Sequence, residues 1–180
     1  MTNFRQRRSR HERTADADDP PTPEARERRV EACRDAAVRF LSYRPRSVAE
    51  VRARLLRHGH DPDVVHAVLE WLRDYNLVDD EAFAEFWAES RAQFRPSGQR
   101  LLRYELAQRG VPTETAKTVV ERVDEEDGAY RAAVKRAARL SRENEIEFRR
   151  KLGSFLQRRG FETEVILHTV ERIWREAPVA

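Results

Sequence analysis

The chain has 180 residues, of which 37% are charged and 39% hydrophobic, and its formal net charge is +3 at neutral pH. That is polar for a globular protein, yet too apolar for one disordered throughout. No apolar run approaches the ~20 residues that cross a bilayer, the N-terminus MTNFRQRRSR lacks the apolar stretch of a signal peptide, and the single cysteine, Cys33, can neither close an intrachain disulfide nor build a Cys-based zinc site. Membrane-spanning and secreted readings are set aside, and a cytoplasmic protein is expected.

Residues 1–27 read as a disordered charged tail, basic in RQRRSRHER and acidic and Pro-rich in TADADDPPTPEA. Helical apolar spacing begins near residue 28 with Val30, Cys33, Ala37, Phe40 and Leu41, predicting a first helix over about 28–43. Ser47-Val-Ala-Glu50 is a capping box: the Ser hydroxyl can accept from the Glu50 N–H while the Glu carboxylate reaches back to the Ser47 N–H. It opens a helix over 47–58 with Val48, Val51 and Leu55 on one face, and Gly59 can supply a left-handed end. Asp61-Pro62 starts a third helix, with Asp as N-cap and Pro in the first turn, that buries Val64, Val65, Val68, Leu69 and Leu72.

The pattern then returns twice. Gly59, Gly110 and Gly160 are spaced by 51 and 50 residues, as are Leu55, Leu106 and Leu156, and Glu70, Glu121 and Glu171. First helices precede each pair at about 28–43, 80–94 and 128–142. The sequence therefore predicts an all-α fold of three tandem three-helix repeats, 28–77, 78–127 and 128–180, forming an elongated, curved and monomeric array. Charge segregates along it: the repeats are net +3, −5 and +5. An array of this kind offers a long surface and suits a large or filamentous partner. The sequence has no P-loop, Gly-rich dinucleotide motif or nucleophile elbow, so neither an enzyme nor a cofactor is expected. His58-x-His60 at a helix end is a poor metal geometry, and no metal is expected.

Of the 35 cationic side chains 32 are Arg, which suits bidentate recognition of carboxylate or phosphate and equally follows from a GC-rich coding genome. Candidate partner-binding groups recur on the second helix of each repeat: Arg54 and Arg57, then Arg100 and Arg103 flanking an outward Tyr104, then Arg149, Arg150 and Lys151. Arg131, Lys135, Arg139 and Arg142, at steps of four, four and three, are read as one stripe down the first helix of the third repeat. Asp79, Asp80 and Glu81 are read as capping the helix at 80–94. Asp124, Glu125, Glu126 and Asp127 are read as near a helix end, in a solvated linker or a contact with cations. Trp71 and Trp174 are read as core or inter-repeat packing.

Several stretches carry more than a generic helical pattern. Phe40-Leu-Ser-Tyr-Arg-Pro-Arg-Ser-Val-Ala-Glu50 is followed by Val51, Leu55 and Gly59, then Leu77-Val-Asp-Asp80 with Phe83-Ala84, then Gly98, Arg100, Tyr104-Glu-Leu106 and Arg109-Gly-Val111. This run resembles the RecX family of bacterial recombination regulators over roughly residues 30–175. Val51 stands for the usual Leu, Arg109 for a usual Lys, and the third repeat matches weakly. The resemblance implies three tandem three-helix repeats. It also implies a protein of DNA recombination, repair and the SOS response that binds RecA recombinase filaments and inhibits their assembly, ATPase and strand exchange. It adds Arg44 and Arg46, of the Arg-x-Arg-Ser start, to the candidate partner-binding residues. The alternative is a protein that binds single- or double-stranded DNA directly through helix-turn-helix-like units. The pI of about 9.3 suits it, whereas the acidic middle repeat argues against continuous tracking of DNA.

Overall fold

A computed structural model describes residues 22–176. These form nine helices: α1 (Pro23–Leu41), α2 (Val48–Arg57), α3 (Pro62–Asp74), α4 (Asp80–Phe94), α5 (Gln99–Ala107), α6 (Thr113–Glu121), α7 (Glu125–Ala137), α8 (Glu145–Arg158) and α9 (Thr163–Glu176). They group in threes, and each group closes on its own core. The first holds Cys33, Val51, Leu55, Val65, Val68 and Leu72, the second Phe83, Leu102, Leu106, Val119 and Val120, the third Phe148, Leu152, Leu156, Phe161 and Ile173. The Cys33 thiol is fully buried, and burial pushes its pKa up. Trp71 and Trp174 pack within their own repeats rather than between repeats.

The local signals act as the sequence predicts. The Ser47 hydroxyl accepts the Glu50 N–H at 3.1 Å, and the Glu50 carboxylate accepts the Ser47 N–H at 3.4 Å. Gly59, Gly110 and Gly160 end α2, α5 and α8 with φ of +82°, +72° and +80°, a backbone conformation that costs a side chain but not glycine.

Three boundaries differ from the sequence reading. Residues 23–27, assigned to the tail, are helical: the Thr22 hydroxyl accepts the Ala25 N–H at 3.3 Å and Pro23 occupies the first turn, so the start signals lay inside the Pro-rich stretch. The rest of the predicted tail lies outside the described residues. Val78, placed at the head of the second repeat, packs into the first core. The first helix of the third repeat spans Glu125–Ala137 rather than 128–142. Asp124 is its N-cap, accepting the Asp127 N–H at 3.0 Å. The four acids therefore sit at a helix start, where they are favourable. Asp61 is the N-cap residue of α3 but makes no capping bond; its carboxylate pairs with Arg29 at 3.0 Å.

The cores share no apolar residue, and the repeats meet through polar joints that use the same register twice. At the first joint the Ser47 hydroxyl donates to the Arg109 carbonyl at 2.6 Å, and Asp80 accepts the Val48 N–H at 3.0 Å. At the second, the Gly98 N–H donates to the Arg159 carbonyl at 2.9 Å and Glu125 accepts the Gln99 N–H at 3.1 Å. Glu125 also accepts the Glu162 N–H at 3.2 Å, so one carboxylate serves the N-termini of two helices. The turn glycines allow the approach: a Cβ on Gly110 would strike Ala49, and one on Gly160 would strike Leu101.

Candidate protein-binding surface

Many of the candidate cations are occupied within the chain. Arg44 makes a two-pronged pair with Glu50 at 3.2 and 3.4 Å. Arg100 donates to the Gln157 carbonyl at 2.9 Å and Arg103 pairs with Glu162 at 3.6 Å. Both read as outward-facing partner groups in the sequence, yet both fasten the second repeat to the third. Tyr104 between them is 62% exposed. Arg149 bridges Glu145 and Glu171, whose carboxylates raise its pKa further, and Lys151 pairs with Glu147 at 2.7 Å. Arg150 is exposed.

The stripe Arg131, Lys135, Arg139 and Arg142 is broken. Because α7 ends at Ala137, only Arg131 and Lys135 lie on it. Arg131 pairs with Asp127 at 2.7 Å and donates to the Ala92 carbonyl across the second joint. Arg139 lies exposed beyond the helix. Arg142 turns inward: it donates to the Ile173 and Trp174 carbonyls at 2.8 and 3.3 Å and lies over the Phe148 and Trp174 rings. It is a C-terminal cap for α9. The 4-4-3 spacing imitated a continuous helix because neither Gly nor Pro marks the break.

The first repeat is different. Arg54 is exposed, 5.5 Å from the Phe40 ring, and Arg57 donates to the Ala53 carbonyl of its own helix. Arg46 lies over the same Phe40 ring at 4.1 Å, with a buried Nε that meets no acceptor among the described residues. Burial and the neighbouring cations Arg44 and Arg54 lower the Arg46 pKa, against the pull of Glu50. Between α1 and α2 a groove of about 280 Å³ opens, with Ala36, Phe40 and Leu55 as its floor and Arg39, Arg54 and His58 on its rim. Tyr43, 83% exposed, stands at one end. Among the described residues neither Arg39 nor Arg54 meets a carboxylate. Arg39 was missed in the sequence, where it looked like one more charge on an amphipathic helix.

Comparison with known proteins bears on what such a surface serves. The chain matches the first, second and third three-helix domains of RecX over residues 33–72, 79–120 and 124–170. It is 37% identical over 142 residues to the Regulatory protein RecX of Chlorobium limicola, covering 79% of this chain and 89% of that one. The chain belongs to the RecX family. Other RecX relatives include that of Halorhodospira halophila, 38% identical over 138 residues, covering 76% of this chain and 84% of the relative. That of Mycobacterium sp. strain KMS is 34% identical over 157 residues, covering 83% of this chain and 86% of the relative. The crystal structure of RecX from Lactobacillus salivarius superposes with a TM-score of 0.75 at 21% identity, covering 84% of this chain and 99% of that one. A second crystal structure of a RecX regulatory protein gives 0.72 at 20% identity, covering 79% and 73%. The RecX architecture of three tandem three-helix domains is thus the architecture of this chain. Among the described residues no helix is long and apolar enough to cross a membrane.

Proposed function

We propose that the chain binds RecA recombinase filaments and lowers their assembly, ATPase and strand exchange. Membership of a family of regulatory proteins supports a regulatory role. The observation that carries the reading further is the contrast between repeats. On the second helices of the second and third repeats, Arg103, Arg149 and Lys151 pair with carboxylates and Arg100 bonds a carbonyl, while in the first repeat Arg39 of α1 and Arg54 and Arg57 of α2 have no carboxylate partner among the described residues. An exposed cationic face without internal compensation suits an acidic partner surface. The joints link the first repeat to the second and the second to the third, an arrangement in series that favours an extended partner.

The test is the recombinase ATPase on single-stranded DNA, with co-sedimentation of the chain on filaments and on DNA alone across a salt series. The expected result is inhibition and co-sedimentation with filaments, both weakening as salt screens exposed charges over ~10 Å. Equal retention on DNA without recombinase would favour direct DNA binding instead, and an unchanged ATPase would overturn the proposal.

A further inference from the structure

The second and third repeats fill the same groove in different ways, and the first fills it only in part. The register that pairs Cys33 with Ala84 and Ala129, all fully buried, also pairs Ala36 with Trp87 and Phe40 with Arg91. On the second helices Arg54 pairs with Glu105 and Phe155, and His58 with Arg109 and Arg159. Contacts support the pairing: Arg54 touches Phe40, Arg91 bonds Glu105, and Arg136 lies over Phe155.

In the second repeat the groove holds the Trp87 indole. Its Nε1–H donates to Glu105 at 2.8 Å, and guanidinium groups lie on it, Arg109 at 3.5 Å and Arg91 at 4.5 Å. Arg91 grips the same Glu105 carboxylate at 2.7 and 3.0 Å. The filling is thus one aromatic ring and one carboxylate among arginines. In the third repeat Phe155 takes the aromatic place, between Arg136 at 5.8 Å and Arg159 at 4.9 Å. In the first repeat the indole is replaced by the Ala36 methyl and the carboxylate by Arg54. Phe40 supplies a ring at the floor, under Arg46 at 4.1 Å and Arg54 at 5.5 Å, but no carboxylate joins them, and a hollow with a rim of Arg39, Arg54 and His58 remains beside it.

We propose that the α1–α2 groove of the first repeat takes an aromatic side chain flanked by carboxylates from a protein partner, doing there what Trp87 and Glu105 do in the second repeat. The proposal takes its partner, the recombinase, from the function proposed above; the chemistry of the groove stands without it. A protein segment fits better than nucleic acid because the cations do not continue along the array: the adjoining repeat is net −5, which repels a long polyanion.

The probe is a capped pentapeptide, Gly-Glu-Trp-Glu-Gly, titrated into the full-length chain and followed by amide chemical shifts. The expected result is a cluster of shifts at Ala36, Arg39, Tyr43 and His58. It should weaken about tenfold when Trp is replaced by Ala or both Glu by Gln. A self-filled variant, Ala36→Trp with Phe40→Arg and Arg54→Glu, copies the second repeat into the first. Arg39→Glu with Arg54→Glu leaves the groove open, reverses its rim and changes only exposed side chains. Either variant, if folded by circular dichroism, should lose the peptide shifts and need about tenfold more protein for equal inhibition of the recombinase ATPase. Peptide shifts that avoid the groove overturn the proposal, as does a folded rim-reversed variant that inhibits like the wild type at low salt. Two further outcomes also overturn it. One is an oligothymidylate moving the same amides more strongly than the peptide. The other is removal of residues 1–21 alone unmasking the peptide shifts, which would make the chain's own N-terminal segment the occupant. If the wild type does not inhibit the ATPase at all, the proposed function fails and the peptide titration alone decides this inference.

Discussion

The backbone of Gly160 lies so close to Leu101 that a Cβ on the glycine would clash with both the leucine Cβ and its amide nitrogen. Gly59, in the same register of the first repeat and with nearly the same φ, has nothing within 4 Å of that position. The pair separates the two demands on these glycines. Gly59→Ala meets only the left-handed backbone and should cost about 1 kcal/mol. Gly160→Ala meets the same strain plus a clash at the second joint and should cost about 3 kcal/mol. Urea denaturation of both variants checks the difference; equal losses would show that the joint gives way freely.

Asp80 gives a pH prediction with a definite sign. Burial raises its pKa, against the pull of the Val48 N–H and Arg73. The folded chain therefore holds this proton more tightly than the unfolded chain, and stability attributable to Asp80 falls as pH rises from the ordinary carboxylate range through the raised value. Asp80→Asn keeps an oxygen for the Val48 N–H without the buried charge. Relative to wild type it should gain stability across that interval and hold a constant difference above it. Asp80→Ala loses the acceptor and should cost about 1 kcal/mol. Denaturation series between about pH 3 and pH 7 distinguish these outcomes.

Arg142→Ala should destabilise the third repeat by about 2 kcal/mol, because two α9 carbonyls and two aromatic faces lose one guanidinium together. Arg142→Lys should recover less than half of that, since an ammonium cannot fork to both carbonyls while stacking on a ring. Amide exchange at the end of α9 provides the readout. An unchanged exchange rate in the alanine variant would remove Arg142 from the cap.

Charge reversal should act differently in neighbouring repeats. Arg54→Glu with Arg57→Glu breaks no ion pair and should change stability by about 0.5 kcal/mol or less per site. Arg100→Glu with Arg103→Glu removes the bond to Gln157 and sets a carboxylate against Glu162, which should lower the melting temperature measurably. Identical melting of the two double variants would mean that Arg100 and Arg103 do not fasten the joint.

The repeat architecture was legible because its signals are local. The capping box at Ser47 and Glu50, the glycines at 59, 110 and 160, and the apolar faces of α2 and α3 each lie within a few residues of chain. The joints were not legible. Asp79 caps its own helix and Asp80 caps the preceding repeat, but in sequence they are two adjacent acids at a helix start and only the first role has a local signature. Arg142 was misplaced for the same reason: its partners are 31 and 32 residues away, while its spacing from Arg139 suggested a stripe. The candidate groove was half legible, since Arg54 could be found by its recurring register. Arg39 and the importance of Ala36 emerge only once Trp87 is seen to fill the equivalent place.

Because the three cores share no apolar residue, neighbouring repeats are held to one another by contacts around Ser47, Asp80, Gly98, Glu125, Arg100, Arg103 and Arg131, and by the seating of Ala49 on Gly110 and of Leu101 on Gly160. At Gly110 and Gly160 backbone meets the neighbouring repeat directly, so the spacing between repeats is set by main chain rather than by side chains that could repack. Each core is closed on itself, so a substitution inside one should leave the packing of the other two unchanged.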